Sequence, residues 1–339
     1  MKYPAFIKKN DKIAYVAPSF GCTFDPYLTR MNASIDNLKE LGFRIECGPN
    51  VDKALVIGRS NTKEACADEI NYYFQNQETK ALLSVGGGEI MNEILPHINF
   101  KILSENPKWF MGYSDNTNLT YLLPTICDVA SIYGPNAPSF GIKPYHEYLQ
   151  DTMGLLTGEK LWINNYSKWE KIDNQKKENP LDPLVLTEDT IMTSFPKDEL
   201  KFKGRLLGGC LDILVGFVGT EFDKTKEFIE KYQNDGIIWF IEACDLNTMG
   251  IRRAFVQLDR AGWFKNAKGF LIGRPLSGLD DYLGLNRFDA VKEAVEKYNV
   301  PIIFDVDLGH LPPSMPIITG SLGEVTFKDN HLKIEMKLV

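Results

Sequence analysis

Strands and helices alternate along this chain in an order that predicts an α/β protein of two domains. The N-terminal one is a mostly parallel sheet flanked by helices, and the C-terminal one is an α/β domain closing in a β-hairpin. Three observations carry the prediction. Short apolar runs, bounded by turn residues, recur between stretches of helical periodicity. The 339 residues suggest about two domains, at roughly 150 residues each. A polar, proline-interrupted stretch then breaks the pattern near the middle, which sets the expected division at 1–160, a linker and long loop over 161–203, and 204–339.

In the first half, 12–17 (KIAYVA) is an apolar strand ending at Pro18-Ser19. Leu28, Met31, Ile35, Leu38 and Leu41 recur at helical spacing, and Gly42 stops that helix. A strand follows around Phe43–Cys47, and Thr62 is placed to cap a helix running to about Phe74. The run 80–85 (KALLSV) is a strand entering Gly86-Gly87-Gly88. A short helix from Glu89, a strand over 108–112 and a helix through Leu119, Tyr121 and Leu122 come next. The middle stretch carries Trp162, Trp169, Lys168, Lys171, Lys176 and Lys177 among prolines and has little periodicity. After it, 204–219 enters a helix beyond Gly208-Gly209, and 236–241 (GIIWFI) is a buried strand. Helices marked by Ile251, Phe255 and Leu258 and by Phe288, Val291, Val295 and Tyr298 alternate with strands at 268–272 and 301–304. The final EVTFKDNHLKIEMKL alternates on both sides of Asp329-Asn330, as a hairpin does.

Composition excludes several classes of function. Hydrophobic residues are 44% and charged residues 24%, enough apolar side chain to build cores and too much for extended disorder. The net charge of −7 argues against a nucleic-acid partner, which needs a basic footprint. No apolar run approaches membrane-spanning length, and charges interrupt the only apolar stretch at the start, so no membrane partner and a cytoplasmic address are expected. Cys22, Cys47, Cys66, Cys127, Cys210 and Cys244 are scattered, without C-x-x-C spacing or a histidine pair. They read as reduced, mostly buried thiols rather than a metal or redox site.

Ligands of parallel α/β sheets meet the carboxyl ends of the strands, and three such ends carry reactive side chains. Ser114, in Gly-Tyr-Ser-Asp-Asn, lies at a strand-to-helix turn that lifts its hydroxyl off the sheet; the alternative is a plain helix cap. Glu242 ends the apolar strand GIIWFI, where a carboxylate is costly unless paired; the alternative is a structural ion pair. His310 follows a core strand through Asp-Leu-Gly and is followed by two prolines; the alternative is a structural loop histidine. The other three histidines, His97, His146 and His331, lack that placement. Together the three supply what acyl transfer needs. A serine hydroxyl requires an imidazole to take its proton, and the imidazole requires a carboxylate to hold its tautomer. The triple glycine Gly86-Gly87-Gly88, whose backbone N–H groups can approach a substrate closely unless it is a plain turn, and the N–H of Asp115 are the natural oxyanion donors. A dinucleotide or phosphate turn is the rival reading of the glycines, but SVGGGEI lacks the G-x-G-x-x-G spacing and no Walker lysine follows. A nucleotide- or sugar-binding module without chemistry, and an α/β-hydrolase esterase, are the remaining rivals. Against the esterase, Asn116 stands where G-x-S-x-G has its last glycine.

The segments SVGGGEIMNEILP, GYSDNTNL, GRLLGGCLDIL, WFIEAC and DVDLGHLPPSMPIITG occur in order over nearly the whole chain. Their sequence resembles the LD-carboxypeptidase family of serine peptidases, which also holds the microcin C immunity proteins. The resemblance implies Ser114 as nucleophile, Glu242 and His310 as its partners, and Gly87 and Asp115 as the oxyanion hole. It further implies a two-domain α/β homodimer, a triad assembled across the domain interface, and no cofactor or metal. Two substrate classes follow from it: a murein-type peptide losing a C-terminal D-amino acid, or an aminoacyl or peptidyl nucleotide cleaved at the amide. The immunity-type members carry a longer middle segment with aromatics that stack on adenine. The middle here is long, but neither Trp162 nor Trp169 aligns with the stacking position.

Overall fold

A computed structural model describes residues 1–55, 58–172 and 178–339. Lys176 and Lys177, singled out above, lie outside the described residues. The chain divides into two compact units, Met1–Lys160 with Lys176–Leu184, and Leu161–Gln175 with Val185–Val339.

The first unit runs β1 (Lys12–Val16), α1 (Tyr27–Glu40), β2 (Arg44–Cys47), α2 (Lys63–Gln75), β3 (Thr79–Ser84), α3 (Phe100–Glu105), β4 (Trp109–Gly112), α4 (Thr117–Thr120), β5 (Ser131–Tyr133) and α5 (Glu147–Thr157). The strands lie in the order β5-β4-β3-β1-β2, every pairing parallel. That is why β1, β3 and β4 read as near-continuous apolar runs: helices cover both faces of such a sheet. Val16, Ile70, Phe74, Leu82, Phe110 and Leu119 close one of those faces. Thr62 does cap α2, its Oγ1 accepting the Ala65 N–H at 3.2 Å. The helix expected from Glu89 is a 3₁₀ segment over Met91–His97, consistent with Pro96 having no N–H to give an α-helical bond.

The second unit runs β6 (Trp162–Asn164), β7 (Lys168–Trp169), β8 (Glu188–Asp189), β9 (Thr193–Phe195), β10 (Glu199–Cys210), α6 (Leu211–Phe217), α7 (Thr225–Lys231), β11 (Ile237–Glu242), α8 (Thr248–Arg260), β12 (Ala267–Gly273), α9 (Arg287–Val295), β13 (Ile302–Val306), β14 (Ile317–Thr319), β15 (Leu322–Lys328) and β16 (His331–Lys337). Its large sheet has the order β6-β16-β15-β10-β11-β12-β13-β9. β10 through β13 are parallel, and β15, β16, β6 and β9 are antiparallel additions at the two sides. The middle stretch read above as linker and loop therefore contributes β6 and β9 to this sheet.

β10 is the hinge of this topology. From Glu199 to Arg205 it pairs antiparallel with β15, and from Arg205 to Cys210 it pairs parallel with β11. The second half of that strand lies against Phe240 so closely that only glycine fits: a Cβ on Gly208 would stand 1.7 Å from the Phe240 carbonyl oxygen. Gly208→Ala should therefore force β10 off β11 and destabilise the protein by roughly 3 kcal/mol or more, read as a lowered midpoint in urea unfolding. An unchanged midpoint would show that the strands separate without cost.

Candidate active site

Ser114 follows β4 after Gly112-Tyr113 and opens a short 3₁₀ turn into α4. Its φ is +63°, in the left-handed region that non-glycine residues seldom occupy. This is the sharp turn that sets a side chain at the crest of a sheet. The turn is fixed from several sides. The Ser114 N–H donates to the Tyr133 hydroxyl at 3.2 Å. The Asn116 side chain donates to the carbonyls of Gly86, at 2.8 Å, and Tyr113, at 3.1 Å. A Cβ on Gly112 would come within 2.8 Å of Asn116, so glycine there makes room for that amide.

The triple glycine after β3 lies directly against the serine. A Cβ on Gly87 would stand 3.1 Å from Ser114 Oγ and 3.8 Å from the Asp115 nitrogen. The Gly87 backbone, the Ser114 hydroxyl and the Asp115 N–H thus share one small space. The Asp115 carboxylate points the other way, into the protein. Its Oδ2 accepts from Ser19 Oγ at 2.5 Å and from the Met91 N–H at 2.9 Å, and its Oδ1 from Asn118 at 3.0 Å. Burial raises the Asp115 carboxyl above its ordinary value, against the pull of those donors. A buried carboxylate so anchored holds the backbone of residue 115, and hence its N–H, in place.

In the second unit, Glu242 is the last residue of β11 and 2% exposed. Its Oε2 lies 2.9 Å from His310 Nδ1. With the Nδ1 proton on that bond, the lone pair of the imidazole sits on Nε2, the tautomer a general base requires. The surroundings are cut to this pair. A Cβ on Gly309 would meet Glu242 Oε2 at 2.5 Å, and one on Gly273 would meet the Glu242 Cβ at 2.9 Å. Asp307, in the same loop as His310, forms a buried ion pair with Arg274 and accepts the Tyr166 N–H at 2.7 Å.

Several further residues shape the surroundings of this pair. The thiol of Cys244, two residues past Glu242, lies 3.6 Å from Asp245 Oδ1, and burial raises its pKa. Asp212 accepts the N–H groups of Cys244, Asp245 and Leu246 at 2.9–3.1 Å and so staples the loop beyond β11. Trp169 lies next to Glu170, whose N–H donates to the Pro312 carbonyl at 2.7 Å. The Arg274 guanidinium sits 5.1 Å from the Trp169 ring centre. Trp162, 40% exposed, is instead on β6 beside β16. Cys244 had a signal in the sequence, its closeness to Glu242, and Trp169 stood out as an aromatic of the middle stretch. The others are joined by contacts between residues far apart in the chain. Among the described residues no group of three His, Cys, Asp or Glu side chains is placed to hold a metal ion, and no helix is long and apolar enough to cross a membrane.

Residues 13–134 match the family model of the LD-carboxypeptidase N-terminal domain, and 203–325 that of the LD-carboxypeptidase C-terminal domain. The chain is 26% identical over 318 residues to the microcin C7 self-immunity protein MccF of Escherichia coli, covering 90% of this chain and 88% of that one. It is 23% identical over 339 residues to a Bacillus subtilis protein named a probable murein peptide carboxypeptidase, covering 98% and 94%. The fold is shared with MccF crystallised with aspartyl sulfamoyl adenosine, at a TM-score of 0.83 and 22% identity over 100% of this chain and 99% of that one. It is shared equally with an MccF-like protein of Bacillus anthracis, at 0.82 and 21% over the whole of both chains.

The left-handed backbone at position 114 has a consequence that does not depend on chemistry. A side chain there costs conformational energy that glycine avoids. Ser114→Gly should stabilise the fold by about 0.5–1 kcal/mol, whereas Ser114→Ala should not. Urea titration of both variants reads the difference, and a destabilised glycine variant would argue against strain at this turn.

Proposed function

The chain belongs to the LD-carboxypeptidase family and is a hydrolase of the serine-peptidase type; from that premise we propose that Ser114, His310 and Glu242 form its catalytic triad and that it removes a C-terminal D-amino acid from a murein-type peptide. The observation that carries the reading is the Glu242–His310 hydrogen bond at 2.9 Å, a carboxylate–imidazole couple at the carboxyl end of β11 and in the loop beyond β13. The cradle of Gly87, Ser114 and Asp115 supports it from the first unit.

In this mechanism Ser114 Oγ attacks the scissile carbonyl carbon while His310 Nε2 takes the hydroxyl proton. The carbonyl oxygen becomes an oxyanion, which the N–H groups of Gly87 and Asp115 receive. Glu242 holds the imidazolium and its orientation. The C–N bond then breaks as His310 returns the proton to the leaving amine. Water, deprotonated by the same imidazole, attacks the acyl-enzyme and releases Ser114. The expectation of a homodimer rests on the family resemblance alone, and that of a cytoplasmic address on the apolar patterning of the sequence.

A second substrate reading has a specific observation in its favour. Trp169 is tied to the histidine-bearing loop through Glu170 and Pro312, and its ring packs near Arg274, which is ion-paired to Asp307 of that loop. An aromatic side chain tied to the loop that bears His310 suits a base-bearing leaving group. The solved relative crystallised with aspartyl sulfamoyl adenosine is of that kind.

Two experiments test these readings. Ser114→Ala and His310→Ala should each lower kcat by about 10⁴–10⁶, and the double variant should be no worse than either, because members of one catalytic unit are not additive. Glu242→Gln should be milder. Losses that multiply in the double variant would mean that Ser114 and His310 act separately. For the substrate, murein tetrapeptide, its C-terminal amide and aspartyl sulfamoyl adenosine are compared by mass spectrometry of the products. A carboxypeptidase holds the terminal carboxylate, so amidation should cost about ten- to a hundredfold in kcat/KM. Cleavage of the nucleotide conjugate alone would reject the peptide substrate and leave the triad standing. Trp169→Ala should then weaken that cleavage by about ten- to a hundredfold, the usual worth of a base-stacking contact.

A further inference from the structure

The carboxyl ends of the first unit's strands carry Ser114 and Gly87. The amino ends of the same strands carry a different cluster. Lys108 immediately precedes β4, Lys80 is the second residue of β3, and Asp11 immediately precedes β1. With Lys8, Glu105 and Asn106 they line a cleft of about 440 Å³. Lys108 and Ser114 are six positions apart along one strand and its turn, so the cleft lies on the order of 20 Å from the serine.

Lys108 sets this cleft apart from an ordinary charged surface. It is only 6% exposed, yet it makes no hydrogen bond or ion pair with any described residue. An ammonium largely withdrawn from water without a counter-charge is costly, and natural sequences place lysine in such a position rarely. Burial, with the Lys80 charge beside it, pushes the Lys108 ammonium down to about 8, so near neutral pH it remains mostly charged. The two carboxylates of the cleft are engaged elsewhere. Asp11 Oδ2 accepts the Lys8 backbone N–H at 2.8 Å, and Glu105 faces Lys101 at 3.8 Å. The Lys80 ammonium donates to the Gln77 carbonyl at 2.9 Å, which leaves two of its three protons to donate. Three ammonium groups against two carboxylates leave a net positive cleft on a chain whose overall charge is −7.

We propose that this cleft is a second ligand site, one that binds a small oxyanion, the phosphate or carboxylate group of a metabolite, with Lys108 as the buried anchor and Lys80 and Lys8 at its rim. The volume suits a small molecule rather than a polymer. The anion supplies the counter-charge that the fold withholds from Lys108, which is a reason for a lysine to persist where a methionine would pack at lower cost. The site is independent of the triad.

Thermal unfolding of the full chain tests this, with inorganic phosphate and with succinate as probes and sodium chloride at equal ionic strength as the reference. Phosphate or succinate should raise Tm above the chloride value, and the larger rise assigns the phosphate or the carboxylate source. Lys108→Met should itself raise Tm in chloride, because it removes an unpaired buried charge, and should abolish the anion-specific rise. Lys108→Gln serves in its place should the methionine variant misfold. Turnover should be the same in the Lys108 variant as in the parent. The site is rejected if neither anion raises Tm above chloride, or if the rise survives undiminished without Lys108.

Discussion

The second unit is organised around one costly object, the carboxylate of Glu242. It is buried at the end of a fully apolar strand, where an unpartnered charge would cost more than the strand could recover. The imidazole of His310 at 2.9 Å is its partner. Much of the nearby sequence follows from keeping that pair dry and aligned. Gly273 and Gly309 leave out the side chains that would collide with Glu242. The Arg274–Asp307 pair fixes the loop that presents His310. The cost of burying the acid is thereby converted into a fixed tautomer and a fixed ring.

In the first unit the governing constraint is steric. The chain must leave β4, turn sharply, and begin a helical segment while another backbone passes within van der Waals distance of the turning side chain. Ser114 takes a left-handed φ to do so, and Gly87 has no Cβ so that the approach is possible. Tyr133 and Asn116 accept and donate the hydrogen bonds that an irregular turn would otherwise leave unmet.

How much of this the sequence disclosed follows from the same physics. β1, β3, β4, β11, β12 and β13 are apolar runs closed by turn residues, and that signal survives without any tertiary information. The strand ends they define brought Ser114, Glu242 and His310 into view. β6, β7, β8 and β9 are two or three residues long, too short for any periodicity to register, so the segment that holds them read as a connection. The first half of β10, Glu-Leu-Lys-Phe-Lys, alternates as an antiparallel strand should, but Pro196 and the surrounding lysines gave it the look of a loop. Tyr133 and Asp212 could not be found at all, because each acts through a partner far away in the chain.

A common device links the loops at the carboxyl ends of both sheets. Irregular segments leave backbone N–H groups without ladder partners, and apolar packing cannot satisfy them. Here carboxylates, buried or half-buried, collect them. Glu69 takes the N–H groups of Ala17 and Asn50, Asp115 that of Met91, Asp212 those of Cys244, Asp245 and Leu246, and Asp307 that of Tyr166. Hydrogen bonds to a charged acceptor are about twice as strong as neutral ones, so a few acids can hold loops that a hydrophobic core cannot reach. The arrangement has an electrostatic cost, visible in Glu69, whose carboxyl is pushed up to about 7 by burial even with two backbone donors on it. A fold accepts such a cost where loop position matters more than loop stability. The loops so held include the ones that carry Glu242, His310 and the turn at Ser114, which ties the rigidity of the scaffold to the placement of its reactive groups.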